Sequence, residues 1–376
     1  MNKRLQHITD TLIAESQMGF RKGRSCIDAV FTIKMLIEKR REFNCPTHLA
    51  FIDWEKAFDN VNRTLLWEIM LEKGYPKHLV TVITELYADT SVLLSVKGQS
   101  EREFVINKGV RQGCPLSPTL FNIYLDELMS TWQQGVDSGV KIGQGRFLNS
   151  LMFADDTVII QESEDKLQMA IHKLQSVSKD FNMVISGQKS KVMAFQGKWP
   201  LRSKIVIDNV IMEQVNNFKY LGCEVSFDRE HDIPQKIAKF NLICGTIHRT
   251  LKGKARKETE IKFYKTMAIP LMTYGSEVWT KTRQDESRIQ ASEMRFLRSV
   301  QGYTRLDQIR NDIIRRQCNV QPLSEIIKKY RINWTNHLLR MSQNRLPIQI
   351  WKFKQDGRRD IGRPRKRWTP EQAPEA

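Results

Sequence analysis

The sequence predicts an α+β protein, with mixed strands and helices up to about residue 230 and an all-helical segment from there to the C-terminus. Two observations predict it. Up to residue 230 the apolar residues fall both in short continuous runs and at helical spacing, whereas beyond it only the helical spacing persists. The charge divides at the same place. Residues 1–230 hold 29 basic and 28 acidic residues, residues 231–376 hold 31 and 14, so almost all of the formal +18 lies in the helical part. A length of 376 residues with 40% apolar content is enough for two or three domains and a sizeable core. No run of about 18 apolar residues occurs, and the opening MNKRLQHITD has no signal-peptide core, so the expectation is a soluble intracellular protein without membrane contact. Six scattered cysteines with no C-x-x-C pair fit reduced thiols rather than a disulfide framework or a zinc site.

In chain order, Ile27, Val30, Phe31, Ile33 and Ile37 predict a helix over 26–40. After Cys45-Pro46, residues 48–53 read as an apolar strand ending in the carboxylate of Asp53. Helices follow over 63–73 and 77–89, separated by the stop signal Gly74-Tyr75-Pro76. Residues 91–96 and 102–107 form a hairpin pattern around Lys97-Gly98-Gln99, and the loop Gly109–Pro115 leads into a helix over 117–132. Two apolar strands, 148–154 and 157–160, flank Asp155-Asp156 at a bend. A helix over 164–180 and strands over 191–195 and 218–225 close this part. In the helical part, Ile233, Ile237, Phe240, Cys244, Ile247 and Leu251 mark one face of a long helix, and further amphipathic segments run over 258–268, 285–300 and 323–341. The tail 357–368 (GRRDIGRPRKRW) carries six basic residues and reads as flexible until bound.

A positive bias sustained over 146 residues attracts polyanions, nucleic acid first and anionic membrane second. Asp155 and Asp156 are the most informative pair. Adjacent carboxylates between runs of Leu, Met, Phe, Val and Ile set like charges against a low-dielectric core, which is costly without a cation. Aspartate is also ordinary turn chemistry, and the turn alone leaves both readings open. Asp53, at another strand end, would complete an oxygen set suited to Mg²⁺, which keeps waters and takes further oxygens from phosphates.

Three blocks then stand in order: Phe51-Ile52-Asp53-Trp54-Glu55-Lys56-Ala57-Phe58-Asp59, Arg111-Gln112-Gly113-Cys114-Pro115-Leu116-Ser117-Pro118 and Phe153-Ala154-Asp155-Asp156. Together they resemble a reverse transcriptase of the LINE-type (non-LTR) retrotransposons. Gln17–Ser25, Phe218–Gly222, Tyr274–Trp279 and Gly362–Trp368 support the resemblance, which covers about residues 15–368. It implies a right-hand polymerase: partial fingers and palm over 1–229, a helical thumb over 230–300, and a basic helical C-terminal region over 301–376. It also implies that Asp53, Asp155 and Asp156 bind two Mg²⁺ ions, with Mn²⁺ as a substitute, about 4 Å apart.

Further roles follow from matching positions. Phe58 matches the residue beside the sugar of the incoming nucleotide, where a ring would clash with a 2′-hydroxyl, although an ordinary core aromatic is the plainer reading of the residue itself. Gln112 and Gly113 match a nucleotide-contacting loop, although a glycine serving only the turn fits equally, and Arg21 and Arg24 match a fingers segment near template or nucleotide, with paired surface residues as the plainer alternative. Lys189 aligns with a lysine that protonates pyrophosphate, although a solvated surface lysine fits equally well and Ser186 stands where the family usually has asparagine. The implied partners are an RNA template, a DNA primer and dNTPs, in the nucleus at a target site. The family's first fingers block, its arginine-proline motif and its endonuclease are expected to lie before residue 1, making this a truncated form. The alternative is a catalytically inactive nucleic-acid-binding relic, which the three aspartates argue against. An enzyme making RNA is disfavoured by Phe58.

Overall fold

The computed structural model describes residues 1–94, 102–137, 139–143, 145–228, 231–359 and 365–371. The expected turn at Lys97-Gly98-Gln99 lies outside the described residues, as do residues 362–364 of the tail. The chain forms two compact units. The first comprises residues 1–29, 40–216 and 353–359; the second comprises residues 30–39, 217–352 and 360–376. The Asn217–Ser226 hairpin thus falls with the helices rather than with the first 229 residues.

The first unit opens with α1 (Asn2–Leu12) and the start of α2 (Cys26–Glu42), followed by strand β1 (Thr47–Ile52). Helices α3 (Ala57–Asn60), α4 (Arg63–Glu72) and α5 (Lys77–Ala88) precede the hairpin β2 (Ser91–Leu94) and β3 (Arg102–Val105). Then come α6 (Ser117–Gln133), the hairpin β4 (Val140–Gly143) and β5 (Arg146–Leu148), the hairpin β6 (Ser150–Phe153) and β7 (Asp156–Gln161), and α7 (Glu164–Asp180). Strands β8 (Lys191–Gln196), β9 (Trp199–Pro200), β10 (Val206–Ile207), β11 (Val210–Ile211) and β12 (Glu213–Gln214) complete it. The main sheet has the order β12-β8-β1-β7-β6, with β9 pairing β8. Every pairing is antiparallel except β12 with β8.

Strand β1 is buried along its whole length, which explains why THLAFI reads as a continuous run rather than as an alternation. Its Ala50 and Ile52 join Met152, Ile159 and Val192 in one cluster with Leu120, Phe121 and Tyr124 of α6 and Leu167, Ile171 and Leu174 of α7. The apolar run expected over 148–154 is broken at Asn149, so β5 pairs with β4 and only β6 enters the main sheet.

The second unit begins with the hairpin β13 (Asn217–Tyr220) and β14 (Cys223–Ser226). Its two turn residues, Leu221 and Gly222, both have positive φ, and the Tyr274 hydroxyl donates to the Leu221 carbonyl at 2.8 Å. The helices are α8 (Asp232–Leu251), α9 (Lys257–Phe263), α10 (Ile269–Thr273), α11 (Arg283–Gln301), α12 (Asn311–Cys318), α13 (Leu323–Arg340) and α14 (Leu346–Lys352). As the spacing predicts, Ile233, Phe240, Cys244 and Ile247 of α8 line the core of this unit with Tyr264, Trp279 and Phe296. The helix expected over 258–268 changes to a π-turn at Tyr264–Ala268, where Tyr264 is fully buried and stacks on Phe296 at 5.0 Å.

The tail corrects a second expectation. Residues 365–371 are docked within this unit rather than free. Trp368 is 5% exposed, packs edge-on against Phe31 at 4.8 Å, donates its indole N–H to the Glu277 carbonyl, and gives its backbone N–H to Glu38. Compositional bias toward Arg and Lys hides a single aromatic that buries enough surface to order its neighbours. Among the described residues, no helix is long and apolar enough to cross a membrane.

Candidate active site

The register of the sheet brings the three aspartates together. Ile52 pairs with Thr157 across β1 and β7, so the next residue, Asp53, lies opposite Asp156. Phe153 pairs with Asp156 across β6 and β7, leaving Ala154 and Asp155 as the two residues of the turn. A hundred residues of sequence separation thus collapse to neighbouring strand ends. Asp53 is held by the segment leading into β8: its backbone N–H donates to the Ser190 hydroxyl at 3.0 Å, and its carbonyl accepts from the Ser186 N–H at 2.8 Å. Trp54 donates its indole N–H to the Thr157 hydroxyl at 3.1 Å, locking the two strand ends side by side.

Electrostatically the corner is undercompensated. Asp155 and Asp156 face solvent on one side, but the packed core behind them weakens their hydration. That burial, with a smaller contribution from Asp53, raises the carboxyl of Asp155 above its usual range. Burial also pushes Asp156 up, to about 6, with the charges of Asp155 and Asp53 adding to the effect. One oxygen of Asp53, Oδ2, is shielded from solvent and has no hydrogen-bond partner; its nearest cation is the exposed Lys189 ammonium at 3.8 Å. A shielded carboxylate oxygen and two carboxyls with raised pKa are what a divalent cation corrects, so the donor set fits Mg²⁺ chemically. Among the described residues, no three His, Cys, Asp or Glu side chains converge closely enough to enclose an ion by themselves.

The neighbouring loop is tied to the same corner. Phe58 is half-buried and stacks on the fully buried Phe121 at 4.4 Å with 16° between the rings. Its carbonyl accepts from the Val110 N–H at 2.8 Å. Gly109 has φ +81°, and a Cβ there would sit 2.7 Å from the Asp59 carbonyl oxygen, so only glycine lets the loop lie so close. Gln112 is exposed and donates to the Asp59 carboxylate at 3.2 Å; Gly113 is exposed with φ +85°. Arg63 is buried and holds the loop from behind, donating to the carbonyls of Gly109, Ile106 and Tyr87.

The two fingers arginines stand differently from their expectation. Arg21 is 7% exposed and spends its guanidinium on the Asp10 carboxylate and on the carbonyls of Asp10, Ala14 and Gln17. Arg24 pairs with Glu15. Arg21 is therefore a buried tie, not a ligand-facing cation: a chain of main-chain carbonyls bends around it and takes up its donors. The sequence reading assigned no role to Gln17, Gly19 or Ser190: Gln17 bonds the backbone of Ala154, Gly19 packs against it, and the Ser190 hydroxyl accepts from the Asp53 N–H.

Residues 1–225 match the family model described as reverse transcriptase (RNA-dependent DNA polymerase). The match covers more than half of the chain, and the protein belongs to this family. Its relatives are polymerases of non-LTR retrotransposons. The Pol polyprotein of the type-2 retrotransposable element R2DM of Drosophila melanogaster is 29% identical over 219 residues, 55% of this chain and 20% of its own length. The RNA-directed DNA polymerase from the mobile element jockey of Drosophila funebris is 22% identical over 86% of this chain and 36% of its own length. Among solved structures, apo telomerase from Candida tropicalis covers 93% of this chain and 59% of that one, at 11% identity and a TM-score of 0.46. The chain spans between a fifth and about two fifths of the first curated relatives it matches.

Proposed function

We propose that the chain extends a primer 3′-hydroxyl with dNTPs on an RNA template, using Asp53, Asp155 and Asp156 as the metal-binding carboxylates of a palm. The observation that carries this reading is the strand register, which sets Asp53 beside Asp156 in a corner of three carboxylates faced by the single exposed ammonium of Lys189 at 3.8 Å. When bound there, Mg²⁺ would lower the cost of deprotonating the 3′-hydroxyl and neutralise the charge that develops on phosphate. The protein's own part is positioning. Lys189, exposed beside Asp53, is placed to give a proton to departing pyrophosphate. Phe58, braced by Phe121, is the candidate gate against a 2′-hydroxyl, and Gln112 with Gly113 offers an exposed amide and an open backbone to the nucleotide.

The helical unit supplies the complementary surface. Residues 231–376 carry 31 basic residues against 14 acidic, an excess suited to gripping phosphates without reading bases. On this reading that unit is a thumb and the β13–β14 hairpin, with its turn held by Tyr274, supports the primer end. Synthesis would take place in the nucleus, at the target DNA.

The test is primer extension on an RNA template with dNTPs and Mg²⁺, with Asp155→Asn/Asp156→Asn alongside. The expected result is extension by the parent and a loss of at least about 10³-fold in the variant, with duplex affinity unchanged. Extension by the variant would remove the metal assignment. A parent that binds duplex but never extends it would leave a nucleic-acid-binding role alone.

A further inference from the structure

The turn that carries Asp155 is not at rest by itself. Ala154 has φ +55°, a conformation that costs a residue with a Cβ and is normally left to glycine or asparagine. What holds it there is the segment 16–19. The Gln17 side chain is fully buried, and its Oε1 accepts two backbone hydrogen bonds, from the Ala154 N–H at 3.0 Å and from the Gly19 N–H at 2.9 Å. Its Nε2 donates to the Ala154 carbonyl at 3.4 Å. The Met18 N–H donates to the Met152 carbonyl and the Met152 N–H to the Ser16 carbonyl, each at 2.8 Å, so the strap is laced to β6 by its main chain as well.

Two further contacts hold the strap itself. A Cβ on Gly19 would lie 2.3 Å from the Ala154 nitrogen, so the absence of a side chain there is what lets the strap reach the turn. The Gly19 carbonyl accepts from Asn122 of α6 at 2.7 Å, and Arg21 grips the Gln17 carbonyl at 3.0 Å while paired with Asp10.

We infer that Gln17 is a positioning residue for the metal-binding turn: by bonding both polar groups of the Ala154 backbone it keeps a strained φ populated and so fixes the direction in which Asp155 and Asp156 point. This rests on the reading of those aspartates as metal ligands. Gln17 touches neither substrate nor ion; it acts through the backbone of the residue before the first ligand. Arg21 then has a purpose at one remove, as the anchor of the strap. Residues that orient ligands from behind typically change metal affinity or activity by 10–100-fold when removed.

The experiment uses the full chain and four forms: parent, Gln17→Met, Ala154→Gly, and both together. Methionine keeps the volume and loses every hydrogen bond; glycine at 154 adopts positive φ freely. Mn²⁺ binding, followed by the loss of its free electron-spin signal, is read beside primer extension and duplex affinity, with D155N/D156N marking the specific site. The expected result is that Gln17→Met weakens Mn²⁺ binding and slows extension about tenfold, with duplex affinity and dNTP KM within twofold of the parent. Adding Ala154→Gly to it should recover most of both losses, relative to Ala154→Gly alone. A purely stabilising Gln17 would show no such recovery. Unchanged Mn²⁺ binding in Gln17→Met, or a loss that Ala154→Gly does not relieve, overturns the inference. If Gln17→Met does not fold, Gln17→Glu, which loses the Nε2 donation to the Ala154 carbonyl, is read in its place: weakened Mn²⁺ binding that Ala154→Gly relieves supports the inference, and unchanged binding or a loss that Ala154→Gly does not relieve overturns it. Specific Mn²⁺ binding without any extension would sink the polymerase reading while leaving the clamp testable.

Discussion

Two groups of carboxylates in this molecule stand against packed core, and they are treated in opposite ways. In the helical unit, Glu293 is 1% exposed, and burial raises its carboxyl above the usual range. It is nevertheless surrounded by donors: Arg315 gives two hydrogen bonds, at 2.6 and 3.2 Å, and the Leu323 N–H a third at 3.0 Å. Asp232, in the same unit, accepts from the Trp279 indole at 2.6 Å and the Glu224 N–H at 3.0 Å. At the corner of the sheet, Asp53 Oδ2 has no hydrogen-bond partner and Asp156 stays protonated up to about pH 6. On the reading proposed above, Glu293 and Asp232 are compensated by donors from the fold, while the corner aspartates are left for a ligand to compensate.

The contrast can be broken most forcefully from the compensated side. Arg315→Met leaves Glu293 buried without its cation and should cost about 3–5 kcal/mol of stability, read as a lowered denaturation midpoint. Glu293→Gln/Arg315→Met, which removes both charges, should recover a large part of it. Equal midpoints for single and double variants would mean that the pair is not a charge-compensation unit. At the corner, Asp155→Asn/Asp156→Asn should leave stability intact or raised while abolishing extension, the reverse pattern.

A smaller effect concerns selectivity rather than stability. Phe58 rests on Phe121, so truncating it opens space on the exposed side without collapsing the core. Phe58→Ala should raise the ratio of ribonucleotide to deoxyribonucleotide incorporation about tenfold or more, a discrimination of about 1.4 kcal/mol, measured by competing rNTP and dNTP on one template. An unchanged ratio would return Phe58 to the role of a half-buried core aromatic.

Much of this was legible in the sequence where periodicity or motif carries the information. The apolar run ending in Asp53, the bend at Asp155-Asp156 and the α8 face from Ile233 to Ile247 all appear in place, because burial of a continuous or periodic stripe is a local signal. What stayed hidden depends on contacts distant in sequence. Arg21 matches a fingers segment near template or nucleotide, but it is buried on the Asp10 carboxylate and on carbonyls brought round by a bend that no periodicity announces. Gln17 bonds Ala154 and Ser190 bonds Asp53, 137 residues away in each case. Trp368 was masked by the six basic residues preceding it, yet its ring packs on Phe31, while Lys366 donates to the Lys281 carbonyl and Glu371 pairs with Arg331.

The finest test of the comparison is pH. Asp156 ionises near 6 in the folded chain and near 3.8 when free of its surroundings. Between those values the folded state holds a proton that the unfolded state has released, so folding stability from this group falls as pH rises from about 4 to about 6 and stays lost above. The corner's solvent-facing side screens much of this effect, leaving a small one. Asp156→Asn cannot ionise. Without divalent ions it should therefore melt on the order of 1–3 °C above the parent at pH 7.5, with the gap closing below pH 4. Added Mg²⁺ should raise the parent's Tm more than the variant's, which keeps Asp53 and Asp155 but lacks the Asp156 charge. A variant that melts at or below the parent at pH 7.5 would show that the fold already compensates Asp156 as it does Glu293, and the distinction between the two carboxylates would fall.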